Sequence, residues 1–405
     1  MYSGIIVYGQ TYIPSWEVFD ESNSPLPNNT VRCLAVDNLN DLWVGTDNGL
    51  AHLSNSTWTV YDSTNSGLTS NYIRTIAVDS ENSIWIGTVF DGVLKFDGNT
   101  WESFNTSTSN IVDNFIKTIS IDQFDNKWIG TVEGICYYND TIWRTWTMAN
   151  SGIFTNNISS IAIGEQNEKF IGTINGGMIY MDADTNIIGE YNIANSMVPD
   201  NSALKVMVDT LGKPWYAGSA GGLFTDNGNQ TWTVFDYENS PMPTNSLTTL
   251  ELDSDFNFYL GTQLNGLVIR RFDQTWDIYT SDNSGLVEDY ILSLAKDGLN
   301  QVWIGSYSKG LIKLTEEILS TDELDNKKPL EIFPNPTSAN SQLNFNQLLI
   351  NSNITVFTTD SKLVFQQKSG KKINSVQIPD LIPGIYFLHI ESSQINDVIR
   401  FVIKN

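Results

Sequence analysis

Between residues 73 and 104 the chain passes through four short apolar stretches separated by turn-forming residues. Ile73-Arg-Thr-Ile-Ala-Val78 is rich in β-branched residues, Asp79 to Ser83 is polar, and Ile84-Trp-Ile-Gly-Thr88 is apolar again. Gly92-Val-Leu-Lys-Phe96 and Thr100-Trp-Glu-Ser-Phe104 follow, split by Asp97-Gly-Asn99. Short β-branched and aromatic runs broken by Asp, Asn and Gly predict a four-stranded antiparallel meander.

The pattern recurs along the chain. Its signature reads Trp43-Val-Gly45-Thr46, Trp85-Ile-Gly87-Thr88, Trp128-Ile-Gly130-Thr131, Phe170-Ile-Gly172-Thr173, Tyr216-Ala-Gly218-Ser219, Tyr259-Leu-Gly261-Thr262 and Trp303-Ile-Gly305-Ser306. Successive glycines lie 42, 43, 42, 46, 43 and 44 residues apart. A meander cannot bury both faces alone, so repeats of this length stack around an axis. The fold class expected is all-β, a seven-bladed β-propeller. The aromatic residue of each copy is expected to pack between blades, and the glycine to let the adjacent sheet approach.

A second tryptophan marks the fourth strand: Trp16, Trp58, Trp101, Trp143, Trp232 and Trp276, with Ile188 in the remaining copy. Trp16 precedes every first strand, and the last copy stops at a third strand, Gly310-Leu-Ile-Lys-Leu314. The count closes when Trp16-Glu-Val-Phe19 completes the last blade, which removes the sheet edges that would otherwise invite aggregation.

The 405 residues allow two or more domains. The propeller is expected over residues 10–315, a polar linker over 316–328, and a small Ig-like β-sandwich over 329–405. The net charge of −24 is unevenly spread: before Lys327 there are 14 Lys/Arg against 41 Asp/Glu, a net −27. Such a propeller is a poor electrostatic match for nucleic acid or anionic lipid. Cys33 and Cys136 fall two blades apart and are expected to be buried free thiols. With two histidines, His52 and His389, no metal site of the usual zinc kind is expected. No apolar run is long enough for a transmembrane helix. Ile5-Ile-Val-Tyr-Gly-Gln10 has the character of the end of a signal-peptide apolar region, so residues 1–9 are read as its remnant; an extra edge strand is the rival reading.

Val78-Asp79 with Trp85-Ile-Gly-Thr88, Gly92 and Phe96-Asp97 resembles the two-component-regulator propeller repeat, as does Val36-Asp37 with Trp43-Val-Gly-Thr46 and Gly49-Leu50. The resemblance covers residues 16–315. It implies a propeller of the kind that serves as a periplasmic sensor region of hybrid histidine kinases and recognises polysaccharide fragments. The sequence carries no membrane span, kinase region or receiver region, so the signalling role is not carried over. In residues 329–405, Ile332-Phe-Pro334-Asn335-Pro336, Ile354-Thr-Val-Phe357, Leu381-Ile-Pro-Gly384-Ile-Tyr386 and Phe401-Val-Ile-Lys404 resemble the type A C-terminal sorting domain of the Bacteroidetes type IX secretion system. That resemblance implies handling by the type IX machinery and a secreted or cell-surface location. The segment's alternating strands with Gly and Pro turns also fit an ordinary accessory sandwich.

No nucleophile elbow, His-Glu-x-x-His or phosphate-binding glycine motif is present, so no enzyme activity, cofactor or metal is expected. Carboxylates gathered from separate blades would leave no trace in spacing. His52 lies within a strand and is read as structural. Asp37, Asp79, Asp122, Asp209, Asp253 and Asp297 sit at first-to-second-strand turns, where they are expected to bond turn backbone, with calcium binding as the rival.

The loops after the second strands vary on a regular scaffold: Asp47-Asn48, Val89-Phe90-Asp91, Val132-Glu133, Ile174-Asn175, Ala220, Gln263-Leu-Asn265 and Tyr307-Ser-Lys309. Loops over a rigid scaffold carry binding residues, although drift gives the same pattern. A polar ring, Asn29, Asn71, Asn114, Asn156, Asn201, Asn245 and Asp289, precedes the first strands on the same face. These amides bond loop backbone or present donors and acceptors to sugar hydroxyls. The candidate ligand site is therefore Phe90, Asp91, Glu133, Asn175, Gln263, Asn265, Tyr307, Lys309, Asn71 and Asn114, with Phe90 and Tyr307 as stacking faces. A glycan is the ligand these residues suit. An extracellular protein docked on the acidic rim, or a polysaccharide-degrading activity, are the alternatives.

Overall fold

The structure, a computed structural model, describes residues 11–228, 231–319, 330–349, 352–360, 362–391 and 396–404. The signal-peptide remnant expected over residues 1–9, and residues 320–328 of the expected linker, lie outside them. Two compact units emerge, the larger comprising Pro14–Arg270 and Trp276–Glu316.

Among the described residues are seven four-stranded sheets. Sheet 1 is Val31–Val36, Leu42–Thr46, Gly49–Ser54 and Thr57–Tyr61, each strand antiparallel to the next. Sheets 2 to 6 repeat this order from Ile73–Val78 to Trp276–Tyr279. Sheet 7 is Ile291–Lys296, Val302–Ser306 and Leu311–Leu319, completed by Thr11–Phe19. The chain's first strand thus closes its last sheet, and Leu311–Leu319 runs into the stretch expected to be linker. The first strand of each sheet packs on that of the next, and the first strand of sheet 7 packs on that of sheet 1. That cyclic order makes the unit a β-propeller with the first strands innermost.

The second strands are buried along their length, with Phe170 of sheet 4 the half-buried exception, because each lies between neighbouring sheets. A Cβ on Gly87 would stand 2.5 Å from Ile116 of the following sheet, so glycine sets the inter-sheet distance there. The turn aspartates do more than the expected turn bonding. Asp37 Oδ1 accepts from the Leu39 and Asp41 amides at 2.9 and 3.0 Å, while Oδ2 accepts from the Trp43 indole at 3.0 Å. The pair recurs as Trp85–Asp79, Trp128–Asp122, Trp215–Asp209 and Trp303–Asp297. Sheet 4 has Phe170, which lacks an N–H, and its turn has Gly164 in place of the aspartate. Donor and acceptor are lost together, as the cost of an unpaired buried polar group requires.

This anchor corrects two repeat assignments. In sheet 5 the counterpart of Trp43 is Trp215, not Tyr216, because Trp215 donates to Asp209. Ala217 then pairs with Lys205 as Gly45 pairs with Cys33, and Gly218 falls one place later. In sheet 4 the fourth-strand counterpart of the tryptophans is Ile187, which pairs with Met181 as Trp101 pairs with Phe96. Ile188 is 62 % exposed. Both slips are of one residue, which moves a side chain to the opposite face of a strand.

Lys127 and Lys169 add cation–π contacts between sheets, each 4.5 Å from the ring centroid of the preceding sheet's tryptophan, Trp85 and Trp128. Cys33 and Cys136 are free and buried, and burial pushes both thiols up to about 12.

The second unit holds the tail. Ile332–Phe333, Gln342–Leu349 and Ile373–Gln377 form one sheet. Thr337–Ser338, Asn396–Lys404, Gly384–Glu391, Ser352–Thr358 and Leu363–Ser369 form the other. Leu343, Phe345, Val356, Leu388 and Phe401 are buried in their common core. The sorting-motif residues organise one edge. Asn335 bonds the last strand twice, Nδ2 to the Arg400 carbonyl at 2.9 Å and Oδ1 from the Val402 amide at 3.0 Å. Pro334, Pro336 and Lys404 line a shared shallow hollow. Gly384 opens the strand in which Tyr386 is buried, its hydroxyl donating to the Ile382 carbonyl at 2.9 Å.

Candidate functional site

An aromatic cluster lies at the axial end formed by the loops after the second strands. Arg32, second residue of the first strand of sheet 1, donates from Nε and Nη2 to Asp47 at 2.6 and 2.8 Å. Its Nη2 also donates to the Tyr72 hydroxyl at 3.1 Å. The guanidinium stands 5.6 Å from the Tyr72 ring and 5.9 Å from the Tyr307 ring. Tyr307 stacks on Tyr290 at 5.0 Å and 16°, and Phe90 meets Tyr72 edge-on at 6.1 Å. The carboxylate of Asp47 raises the Arg32 pKa, so the fork stays charged. Phe90 is 66 % and Tyr307 46 % exposed, so ring faces bridge sheets 7, 1 and 2 in contact with solvent.

Of the residues expected from sequence, Phe90 and Tyr307 belong to this cluster. Asp91 sits beside Phe90, its amide donating to Thr88 Oγ1 at 2.9 Å. Lys309 is exposed near Asp20, whose carboxyl pKa is lowered chiefly by hydrogen bonds from the Ser22 hydroxyl and amide and least by the Lys309 charge. Glu133, Asn175, Gln263 and Asn265 lie on sheets 3, 4 and 6. Among the described residues no hydrogen bond or ring contact joins them to the cluster. Asn175 bonds Ser202 of the next sheet, and Glu133 accepts from Asn156 at 3.4 Å.

The polar ring does structural work. Asn71 and Asn114 Oδ1 accept from the Ser63 and Thr106 amides, eight residues earlier, at 2.8 and 2.9 Å. The same bond recurs at Asn29, Asn156, Asn201, Asn245 and Asp289. Each clamps the loop entering the first strand.

Arg32, Tyr72 and Tyr290 escaped the sequence reading. Tyr72 and Tyr290 follow Asn71 and Asp289 directly, so the signal lay one residue beyond the ring. Arg32 shares its strand position with Arg74 and Lys117. Burial lowers the Arg74 pKa, and the like charge of Arg32 adds to it. Burial, and then Arg74, push Lys117 down to about 8.

On the opposite end, Asp37, Asp41 and His52 bring donor atoms within 4.8 Å of one another. Both Asp37 oxygens are already acceptors in the turn, and His52 stacks on Trp43 at 4.1 Å, so a metal there would displace the turn.

The class of protein is thus an all-β chain with a propeller and a two-sheet tail. Residues 25–48 and 67–90 match the two component regulator propeller family, and residues 331–404 match the secretion system C-terminal sorting domain. The chain therefore carries regulator-propeller repeats and a type IX sorting domain, which marks it as an exported protein, secreted or held at the cell surface. No curated protein sequence matches the chain. The extracellular domain of the hybrid two component system BT3049 from B. thetaiotaomicron is 18 % identical, with a TM-score of 0.65, covering 97 % of this chain and 58 % of that one. PorZ, a surface component of the type IX secretion system of Porphyromonas gingivalis, is 15 % identical, with a TM-score of 0.56, covering 96 % of this chain and 60 % of its own. The chain spans about three-fifths of both. Virginiamycin B lyase from Staphylococcus aureus is 12 % identical, with a TM-score of 0.60, covering 75 % of this chain and 99 % of its own. At these identities the likeness is one of fold. Among the described residues no helix is long and apolar enough to cross a membrane.

Proposed function

We propose that the chain is a seven-bladed propeller that binds a glycan outside the cell on its loop face, and that its Ig-like tail is read by the type IX machinery. The observation that carries the ligand class is the cluster of Tyr72, Phe90, Tyr290 and Tyr307 around Arg32. Exposed rings on rigid strand ends, with fixed polar groups between them, suit the apolar faces and hydroxyls of sugars. The similar structure from BT3049 is the extracellular domain of a hybrid two component system, which fits the same reading.

A binding role is preferred to catalysis because the cluster holds one carboxylate, Asp47, and Arg32 occupies it. A protein-docking role has its own observation. Met148, Ile193, Met197 and Tyr237, on the loops that follow the fourth strands of sheets 3, 4 and 5, are 55, 62, 82 and 58 % exposed. The deciding experiment is glycan-array binding by the full chain, with reducing-sugar and unsaturated-product release read in parallel. Retention without product supports the binding module. Product replaces it with an enzyme, and silence on both from folded protein favours the docking role.

A further inference from the structure

The cationic side chains of this acidic propeller are not scattered. Five of the fourteen Lys/Arg that precede Lys327, namely Arg32, Arg74, Lys117, Lys205 and Lys296, lie on the seven innermost strands. Those strands hold one acid, Glu251. With Lys296 paired to Asp253 and Arg32 to Asp47, the wall nearest the axis keeps Arg74, Lys117 and Lys205 against Glu251, a net positive lining inside a strongly negative ring that focuses anions toward the axis.

Three of the five form a row. Arg32, Arg74 and Lys117 are each the second residue of the first strand in sheets 1, 2 and 3, and these strands pack side by side. At the same position sheets 4 to 7 carry Ser159, Leu204, Thr248 and Leu292. The scaffold therefore has no need of a cation there. Ser159 and Thr248 show the structural alternative, donating to the Ala203 and Ile291 carbonyls of the next sheet.

The row is only partly neutralised. Arg32 has Asp47, and Lys117 Nζ donates to the neutral amide oxygen of Asn157 at 2.7 Å. Arg74 makes no ion pair among the described residues. All three are half-buried; burial, and then the Arg32 charge, lower the Arg74 pKa, and burial, and then the Arg74 charge, lower that of Lys117. A self-repelling row withdrawn from water is unfavourable unless a counter-charge completes it.

We infer that the ligand is an acidic carbohydrate, and that its carboxylate or sulfate ester seats on Arg74 and Lys117 while its ring lies against the Tyr72–Phe90 and Tyr290–Tyr307 faces. The inference rests on the glycan reading above. Arg74 offers a planar fork for two anion oxygens and Lys117 a point charge beside it. Arg32, held by Asp47, positions Tyr72 rather than the anion.

The test compares matched pairs on the full chain by titration calorimetry. One pair is an oligogalacturonate and its methyl ester, and the other is a galactan oligosaccharide and its sulfated form. The expected result is at least about tenfold tighter binding of an acidic member at low salt, fading as salt rises. Which pair responds separates carboxylate from sulfate. Arg74→Gln with Lys117→Gln should bring the preference within about twofold while neutral binding persists. Should that variant misfold on thermal denaturation, the salt dependence of the wild type decides alone. Equal binding of both members, or a neutral preference, overturns the acidic class and leaves the glycan reading standing. No binding of any of the four overturns the acidic class, and the glycan array then decides whether the glycan reading falls with it.

Discussion

Sheets 7, 1, 2 and 3 and sheets 4, 5 and 6 share one scaffold and differ at its axial end. In the first arc the residue before the first strand is Tyr290, Thr30, Tyr72 or Phe115; in the second it is Asn157, Ser202 or Ser246. The second position of the first strand is cationic in sheets 1 to 3 and uncharged in sheets 4 to 6. Below that level the arcs converge: Trp85–Asp79 and Trp215–Asp209 make the same bond at 2.9 Å. Near-symmetry turns the ring into its own control. A residue type that appears at one of seven equivalent positions is free of the demands common to all seven, and such departures collect where the tyrosines and arginines meet. The second arc departs differently, with Met148, Ile193, Met197 and Tyr237 exposed farther along the loops.

The largest effect should come from opening the ring inside the first arc. Deleting residues 10–20 removes the outer strand of sheet 7. Calorimetry should show a melting temperature lowered by about 10 °C or more, because the cut exposes a sheet edge. An unchanged value would sink the closure. Next come Asp79→Ala and Asp209→Ala, one in each arc. Both leave a buried indole unpaired and undo a turn, so each should cost roughly 2–3 kcal/mol in denaturant titrations. Clearly unequal losses would mean that the arcs differ in scaffold as well as in surface.

Phe90→Ala with Tyr307→Ala should weaken glycan retention about tenfold and shift the melting temperature by no more than about 2 °C. The matching change in the second arc, Ile193→Ala with Met197→Ala, should leave retention intact. Retention lost equally in both would dissolve the distinction between the arcs.

Glu251, the single acid on the innermost strands, belongs to the second arc and should give the smallest effect. Burial raises its pKa from 4.5 to about 7, offset in part by Lys205 and Lys296 and reinforced by Asp253. The folded form holds the proton more tightly than the unfolded chain, so this group's contribution to stability is full below pH 4.5 and lost as pH rises toward about 7. Glu251→Gln should therefore gain stability over wild type as pH rises from 4.5 to about 8, and the two should converge near pH 4. Parallel stability curves across that range would remove Glu251 from the electrostatics of the axis.

Much of the ring was legible without coordinates. The spacing of Trp43, Trp85 and Trp128, the four strands per repeat and the return of Trp16 to the last sheet all follow from local pattern. Phe90 and Tyr307, members of the aromatic cluster, stand out in the sequence because they break a repeated loop. The errors have a common origin. Reading from the glycine placed Tyr216 where Trp215 belongs, and a register shift between the third and fourth strands of sheet 4 put Ile188 where Ile187 belongs, since a one-residue slip leaves the apolar pattern of a short strand nearly unchanged.

Sequence alone determined the repeat length, the strand order within a repeat, the acidic balance of the propeller and the kinship of residues 331–404 with sorting domains. These properties are written in neighbours along the chain, where turn residues and strand periodicity act over a few positions. Tertiary structure decided that Arg32, Tyr72, Phe90, Tyr290 and Tyr307 share one cluster, although 275 residues separate the first from the last. It also decided that Arg32, Arg74 and Lys117 stand in a row and that Asn71 and Asn114 clamp loops. Such contacts depend on how seven sheets close around an axis, and closure brings together residues whose separation along the chain carries no record of it.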